Sequence, residues 1–119
     1  MKETSSAGSK GGKVVVRIEQ LKGQDIGIKI IGEVDICTVD EFRAAIEALI
    51  DHGGDRIVLD LTEMDYIDST GIGILIELRK KSIEKTQETV LYGAKKNVVR
   101  LLDLTGVSQI FKMVEREER

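Results

Sequence analysis

The alternation of apolar and polar residues near the start of the chain predicts a β-hairpin. Apolar residues occupy every second position from Val14 to Ile18 and again from Ile26 to Ile30. A period of two is typical of a strand with one buried face. The segment Leu21–Asp25 between the two runs is polar, contains a glycine and suits a turn. The two runs are therefore expected to pair as a hairpin with one apolar face.

A helical period replaces the alternation in the next segment. Four apolar residues stand at positions i, i+3, i+4 and i+7 and form one helical stripe: Phe42, Ala45, Ile46 and Leu49. Thr38 with Glu41 matches the capping box, in which the threonine caps the helix and the glutamate reaches back to it. The pair Gly53–Gly54 is suited to ending the helix.

The remaining chain alternates short apolar runs with helical patterns. Strands are expected over Arg56–Leu61, Thr89–Tyr92 and Ile110–Val114. The nearly continuous apolar run of the first of these predicts a strand covered on both faces, as in a parallel sheet. One helix is expected over about Gly71–Lys81, and another, capped by Asn97, ends near Thr105–Gly106. The order β-β-α-β-α-β-α-β predicts an α/β fold, a mixed β-sheet with an N-terminal hairpin and helices packed beside it.

Length and composition indicate one globular domain. The chain has 119 residues, of which 41% are hydrophobic and 33% charged. Residues 1–12 are rich in Ser, Gly and Lys and are expected to be a disordered tail, which leaves 13–119 as the single domain. A net charge of −3 and 3% aromatic residues argue against nucleic-acid binding. No apolar run approaches the length of a membrane span or a signal-peptide core, so a cytoplasmic protein without membrane contact is expected. Nothing in the sequence requires a dimer, and a monomer is expected.

The scarcity of cysteine and histidine argues against metal, cofactor and enzyme chemistry. Cys37 and His52 are the only residues of their types. A lone cysteine is expected to be a small buried or half-buried hydrophobe, and no ligand set for a metal is apparent. His52 is expected at a helix C-terminus, far from any nucleophile that it could activate. We therefore expect neither a cofactor, nor a metal, nor catalytic activity.

The stretch Asp68-Ser69-Thr70-Gly71 lies where a strand gives way to a helix. A helix N-terminus exposes backbone N–H groups and favours negative charge. On one interpretation Asp68 or Ser69 only caps the helix. On the other, Ser69 is held at the surface as a site of covalent modification.

Two apolar residues of the same helix also admit two interpretations. Ile74 and Leu78 point away from the face that Ile72, Leu75 and Ile76 would pack on the sheet. Either a neighbouring helix covers them, or they form an apolar docking patch beside Ser69. Gly73 is expected to permit a close backbone approach.

Several motifs together make the chain resemble the STAS domain family, and within it the bacterial anti-sigma factor antagonists. The motifs are Gly32-Glu33-Val34-Asp35, Leu59-Asp60-Leu61, Met64 to Gly73, Asn97 to Leu102 and Thr105-Gly106. The resemblance covers about Val14 to Val114 and implies a STAS-like fold. The chain departs from many relatives in having only Glu115 to Arg119 after the last expected strand.

The resemblance implies a function for Ser69. In that family the serine after the motif aspartate accepts phosphate from a serine kinase that is itself the anti-sigma factor, and a serine phosphatase removes it. By the same resemblance Asp35 and Asp68 lie close to Ser69, and Thr70 and Gly71 open the helix. Glu33 and Ile74 complete the expected partner surface.

Two other functions remain open at the level of sequence. The domain could regulate a different signalling complex through the same serine. It could also sense a nucleotide or a lipid at the Ser69 turn, although Gly71-x-Gly73 is too short to be a convincing phosphate loop.

Overall fold

The computed structural model describes residues 2–5, 14–20 and 25–116, with side chains from residue 26 onwards. The six strands are β1 (Lys2–Ser5), β2 (Val14–Gln20), β3 (Asp25–Val34), β4 (Arg56–Ile67), β5 (Glu88–Tyr92) and β6 (Lys112–Val114). The helices are α1 (Val39–His52), α2 (Ser69–Glu84) and α3 (Lys96–Leu104), and a short 3₁₀ helix follows at Val107–Gln109.

The strands form one mixed sheet in the order β1-β2-β3-β4-β5-β6. Strands β1, β2 and β3 pair antiparallel, which confirms the predicted hairpin of β2 and β3. Strands β3, β4, β5 and β6 pair in parallel, and the chain reaches β4, β5 and β6 each through a helix. The expected turn between β2 and β3 lies mostly outside the described residues.

The N-terminal segment differs from the expected disordered tail. Lys2–Ser5 pairs with Val15–Ile18 as an antiparallel edge strand. This pairing satisfies the backbone hydrogen bonds on the outer edge of β2, so a polar segment of low apolar content can still be ordered. The rest of the expected tail, residues 6–13, lies outside the described residues.

One hydrophobic core joins a single face of the sheet to the helices. On β4, Ile57, Leu59 and Leu61 are buried, whereas the residues between them are only half-buried. The expectation of a strand covered on both faces was therefore wrong for β4. The apolar Val58 lies on the less covered face, where it alternates with polar neighbours. The helices lie beside the sheet, as predicted, and contribute core residues such as Phe42 and Leu75.

The C-terminal ends of α1 and α3 lie at the predicted glycines, but the N-terminal caps of these helices differ from the prediction. Gly53 ends α1 with a φ of 91°, and Gly106 follows α3 with a φ of 81°. Thr38 is the N-cap residue of α1, but its side chain makes no capping hydrogen bond, so the threonine does not play its expected part in a capping box. Asn97 lies within α3 rather than at its cap, because its amide donates 2.8 Å to the carbonyl oxygen of Asp65 on β4.

The C-terminal ends of the parallel strands meet at one edge of the sheet. Val34 at the end of β3 is in register with Ile67 at the end of β4. The backbone N–H of Asp68 donates 3.0 Å to the carbonyl oxygen of Val34 and extends this pairing by one residue. The β3–α1 loop and the start of α2 are thereby held side by side, and the predicted site lies at this edge.

Candidate functional site

Asp68 organises the start of α2. Its Oδ1 accepts hydrogen bonds from the backbone N–H groups of Thr70, at 2.9 Å, and Gly71, at 3.2 Å. The same oxygen accepts from the Thr70 hydroxyl at 2.5 Å. Because the first N–H groups of a helix have no partner within the helix, an acidic N-cap satisfies them and complements the helix dipole. The capping interpretation of Asp68 is confirmed.

The Asp68 carboxylate is held in its ionised form. Partial burial raises the pKa of Asp68, but the hydrogen bonds from the Thr70 hydroxyl and from the backbone N–H groups of Gly71, Thr70 and Ile36 outweigh this effect and lower it below its ordinary value. The contribution of Ile36 comes from the β3–α1 loop. Backbone N–H groups of that loop and of the α2 N-terminus therefore both stabilise the Asp68 carboxylate.

Ser69 and Thr70 are adjacent hydroxyls in different environments. Ser69 is the first residue of α2 and is exposed, whereas Thr70 is half-buried with its hydroxyl bonded to Asp68. Since Asp68 provides the cap, the side chain of Ser69 has no capping role. Ser69 is consequently the hydroxyl of this pair that a second protein can reach.

Gly71 allows α2 to begin close to the strand ends. A Cβ atom at Gly71 would lie 2.7 Å from Cγ1 of Ile67 and 2.7 Å from Cγ1 of Val34. Both distances are shorter than carbon atoms tolerate without displacement. A Cβ at Gly73, by contrast, meets nothing within 4 Å, so the expected close approach there was wrong.

The β3–α1 loop is a tight, hydrogen-bonded turn. The backbone N–H of Thr38 donates 3.0 Å to the carbonyl oxygen of Asp35, and Asp35 Oδ1 accepts from the N–H groups of Cys37 and Thr38. The buried Thr38 hydroxyl donates to the carbonyl oxygen of Glu33 and accepts from the N–H of Asp35. This last pair of bonds explains why Thr38 does not cap α1. The loop is fixed by its own polar groups.

The structure brings together most of the predicted site residues. Asp68, Ser69, Thr70 and Gly71 form the start of α2, while Asp35 and the exposed Glu33 lie at the end of the adjoining strand.

Ile74 does not belong to an accessible surface, and the expectation that it contributes to partner contact was wrong. Ile74 is only 3% exposed and Leu78 is fully buried, because α1 packs beside α2 and covers both. Ile46 and Ile50 of α1 line the same seam.

Sequence reasoning missed two exposed residues at the tip of the turn. Ile36 is 74% exposed, and Cys37, expected to be buried or half-buried, is exposed as well. Both occupy the central positions of the Asp35–Thr38 turn, where side chains point away from the fold. Apolar residues at turn centres are uncommon, and this departure from turn chemistry was the available signal.

The one histidine of the chain lies far from Ser69. His52 ends α1, whose first residues lie at the site, so the imidazole is about 20 Å away along the 14-residue helix. Within residues 26–116, no cluster of three acidic, histidine or cysteine side chains is arranged to hold a metal ion. Over the described part of the chain, no helix has the length and apolar character required to cross a bilayer.

The family model of the STAS domain matches residues 15–119, and the chain belongs to that family. The chain is 31% identical over 100 residues to the anti-sigma-B factor antagonist of Listeria monocytogenes, with 84% of this chain and 88% of the relative covered. It is 28% identical over 91 residues to the protein of the same name from Staphylococcus aureus, covering 76% and 84% of the two chains.

Solved structures share the fold. An anti-sigma factor antagonist from Mycobacterium paratuberculosis has a TM-score of 0.79 at 21% identity, with 87% of this chain and 86% of that chain covered. The unphosphorylated form of the anti-sigma factor antagonist SpoIIAA has a TM-score of 0.72 at 21% identity, covering 87% and 89%. Its phosphorylated form, from Bacillus, has a TM-score of 0.67 at 19% identity, covering 87% and 92%. The predicted STAS-like fold is confirmed.

Proposed function

We propose that this protein is an anti-sigma factor antagonist that works by partner switching. In the unphosphorylated state it binds a cognate anti-sigma factor, which is a serine kinase, and frees a sigma factor. Phosphorylation of Ser69 releases it, and a serine phosphatase restores the binding form. The protein is thus a kinase substrate and a binding module of the cytoplasm, and it has no catalytic role of its own.

The observation that carries the proposal is the exposed Ser69 hydroxyl beside a carboxylate that already caps the helix. The similarity to proteins named anti-sigma-B factor antagonist supports the choice of partner. The existence of SpoIIAA in unphosphorylated and phosphorylated forms supports a covalent switch within this fold.

In the proposed transfer the Ser69 oxygen attacks the γ-phosphorus of ATP bound to the kinase with magnesium. A new oxygen–phosphorus bond forms, the bond to the β-phosphate oxygen breaks, ADP leaves, and the hydroxyl proton passes to the kinase or to solvent. The side chains at this site contribute the acceptor and its position. The carboxylate of Asp68 accepts a hydrogen bond from the Thr70 hydroxyl, and the Ser69 hydroxyl remains accessible to the kinase.

The phosphate acts on binding rather than on the fold. It adds about −1.5 to −2 charges at pH 7 to a helix N-terminus, where the helix dipole favours negative charge. A partner packed over Ser69 would bury that charge beside Asp35 and Asp68, and like charges without compensation are costly. A loss of about 3 kcal/mol in binding already lowers the affinity about 150-fold.

Substitution of Ser69 tests the proposal. The wild-type protein and Ser69→Asp are used as bait in host lysate containing ADP, and captured proteins are identified by mass spectrometry. We expect wild type to capture a serine kinase, and we expect Ser69→Asp to capture at least 10-fold less of it. Ser69→Ala, which cannot be phosphorylated, serves as the control that retains the kinase even when ATP replaces ADP. Equal capture by wild type and Ser69→Asp, or the absence of any kinase, would contradict the proposal.

A further inference from the structure

The tip of the β3–α1 turn exposes an isoleucine that the fold does not need. Ile36 is 74% exposed, while Val34 and Val39 on either side of the turn are buried. A single exposed apolar residue is ordinary on a protein surface. The central position of a tight turn, however, is usually filled by proline, aspartate, asparagine, serine or glycine.

Hydrogen bonds on both sides of Ile36 fix its position. The turn is closed by the 3.0 Å bond from the Thr38 N–H to the Asp35 carbonyl oxygen, and Asp35 Oδ1 accepts from the Cys37 N–H at 2.9 Å. The fully buried Thr38 anchors the turn to the end of β3 through its hydroxyl. The isoleucine is thus displayed by a rigid support, so little conformational entropy would be lost when a partner covers it.

The surroundings of Ile36 are acidic. Neither residues 30–42 nor residues 57–78 contain a lysine or an arginine. The acidic side chains of these segments at the site edge are Glu33, Asp35, Asp40 and Asp68. Among the cations on bordering elements, Lys29 pairs with Glu63, Arg43 with Glu77, and Lys95 with Asp65. A surface that packs here therefore needs positive charge around an apolar centre.

We infer that Ile36 is the apolar anchor of the partner interface and that the anti-sigma factor receives it in an apolar pocket rimmed by lysine or arginine. This inference rests on the proposed function and identifies the chemistry of the partner at the same site. The turn is continuous with the switch, because the Asp68 N–H is bonded to Val34 and Asp68 lies directly before Ser69. The Ile36 backbone N–H also lies near the Asp68 carboxylate, so a partner that covers Ile36 comes close to Ser69. On this inference a phosphate on Ser69 would meet the partner at the same interface, which couples modification to release.

The chain offers a matched control for this residue. Ile83 is also an isoleucine and is 56% exposed, but it lies near the far end of α2, fourteen residues after Ser69 and about 20 Å along the helix. Because both side chains are exposed, truncation of either should leave the thermal unfolding temperature nearly unchanged. A difference in binding between Ile36→Ala and Ile83→Ala therefore reports on the interface rather than on folding.

The test uses the purified kinase that wild type captures from lysate and Ser69→Asp does not. Its affinity for wild type, Ile36→Ala, Ile36→Asp and Ile83→Ala is measured by isothermal titration calorimetry in the presence of ADP. We expect Ile36→Ala to weaken binding at least 10-fold and Ile36→Asp to weaken it further, with Ile83→Ala within twofold of wild type. We also expect the association rate to fall as salt concentration rises, because a basic rim is attracted to the acidic surface.

The outcomes separate the two proposals. Suppose that the kinase fails to bind Ser69→Asp but binds Ile36→Ala as tightly as wild type. That result would contradict the role of Ile36 as an anchor and would support the partner switch at Ser69. An association rate that does not change with salt overturns the basic rim. If no kinase is captured, or Ser69→Asp still holds it, the proposed function fails and the anchor fails with it.

Discussion

Helices α2 and α3 both begin after a parallel strand at the same edge of the sheet, yet they begin in different ways. Asp68 caps α2 with its side chain, and Gly71 lets the first turn pack against the ends of β3 and β4. Lys95 precedes α3 without any capping side-chain bond. The α3 start is instead tied to the neighbouring strand, through Lys95 to the Asp65 carboxylate and through Asn97 to the Asp65 carbonyl oxygen.

The difference shows what a switch site requires of its scaffold. At α2, every bond that fixes the helix start is made by residues other than Ser69, so the serine can be modified without dismantling the cap. At α3, the exposed contacts of Lys95 and Asn97 with Asp65 fix the helix start, and none of these residues carries a hydroxyl group. We therefore expect the N-terminal end of α2 to be more sensitive to small substitutions than that of α3.

The largest effect is expected from Gly71→Ala. The added methyl group would lie 2.7 Å from side-chain carbons of both Val34 and Ile67, so the strand ends or the helix must shift. Overpacking of this kind destabilises by about 1–3 kcal/mol. Urea unfolding followed by circular dichroism measures the change.

Gly73→Ala is the matched control for Gly71→Ala, since a Cβ at Gly73 meets nothing within 4 Å. Replacing a glycine inside a helix by alanine gains about 0.5–1 kcal/mol. The two substitutions are thus predicted to have opposite signs although they lie two residues apart. Equal effects would show that close packing does not fix the start of α2.

A smaller effect is expected when the cap is removed. Asp68→Ala deletes the acceptor of the hydrogen bonds from Thr70 and Gly71 and should cost about 1–2 kcal/mol. Lys95→Ala, the counterpart at α3, removes an exposed ion pair and should cost at most about 1 kcal/mol. A larger loss of unfolding free energy for Lys95→Ala than for Asp68→Ala would contradict the proposed difference between the two helix starts.

The pH dependence of the stability of wild type and of Asp68→Asn isolates the charge of Asp68. The pKa of Asp68 is lowered in the folded protein, so its ionised form stabilises the fold above the unfolded pKa of about 4. That contribution is lost as the pH falls through the folded pKa. The stability gap between wild type and Asp68→Asn should therefore be full at pH 7 and shrink below about pH 4. A gap that is constant from pH 7 to pH 3 would show that the cap works without its charge.

Local patterns predicted those parts of the fold that local physics determines. The alternation before Ile30 gave the hairpin, and Gly53 and Gly106 ended helices because their backbone conformations favour glycine. A cap by Asp68 or Ser69 was likewise expected, because a side-chain oxygen directly before a helix can accept from its first N–H groups, and the structure shows that Asp68 provides it.

Features that depend on distant residues were missed. Ile74 is buried only because α1 packs beside α2, and a helical pattern does not reveal which neighbour covers its second face. Asn97 does not cap α3 and instead donates to the carbonyl oxygen of Asp65, which lies on β4 and is distant in the sequence. The pairing of Lys2–Ser5 with β2 also depends on a free sheet edge rather than on the composition of the segment.

The most direct test of the account is to locate the phosphate. The purified kinase is incubated with the protein, ATP and magnesium, and the modified residue is mapped by tandem mass spectrometry. We predict a single phosphate on Ser69, abolished by Ser69→Ala and retained by Thr70→Val, because Thr70 is bonded to Asp68 and Ser69 is exposed. Phosphate on Thr70, or undiminished incorporation into Ser69→Ala, would contradict the assignment of Ser69 as the switch.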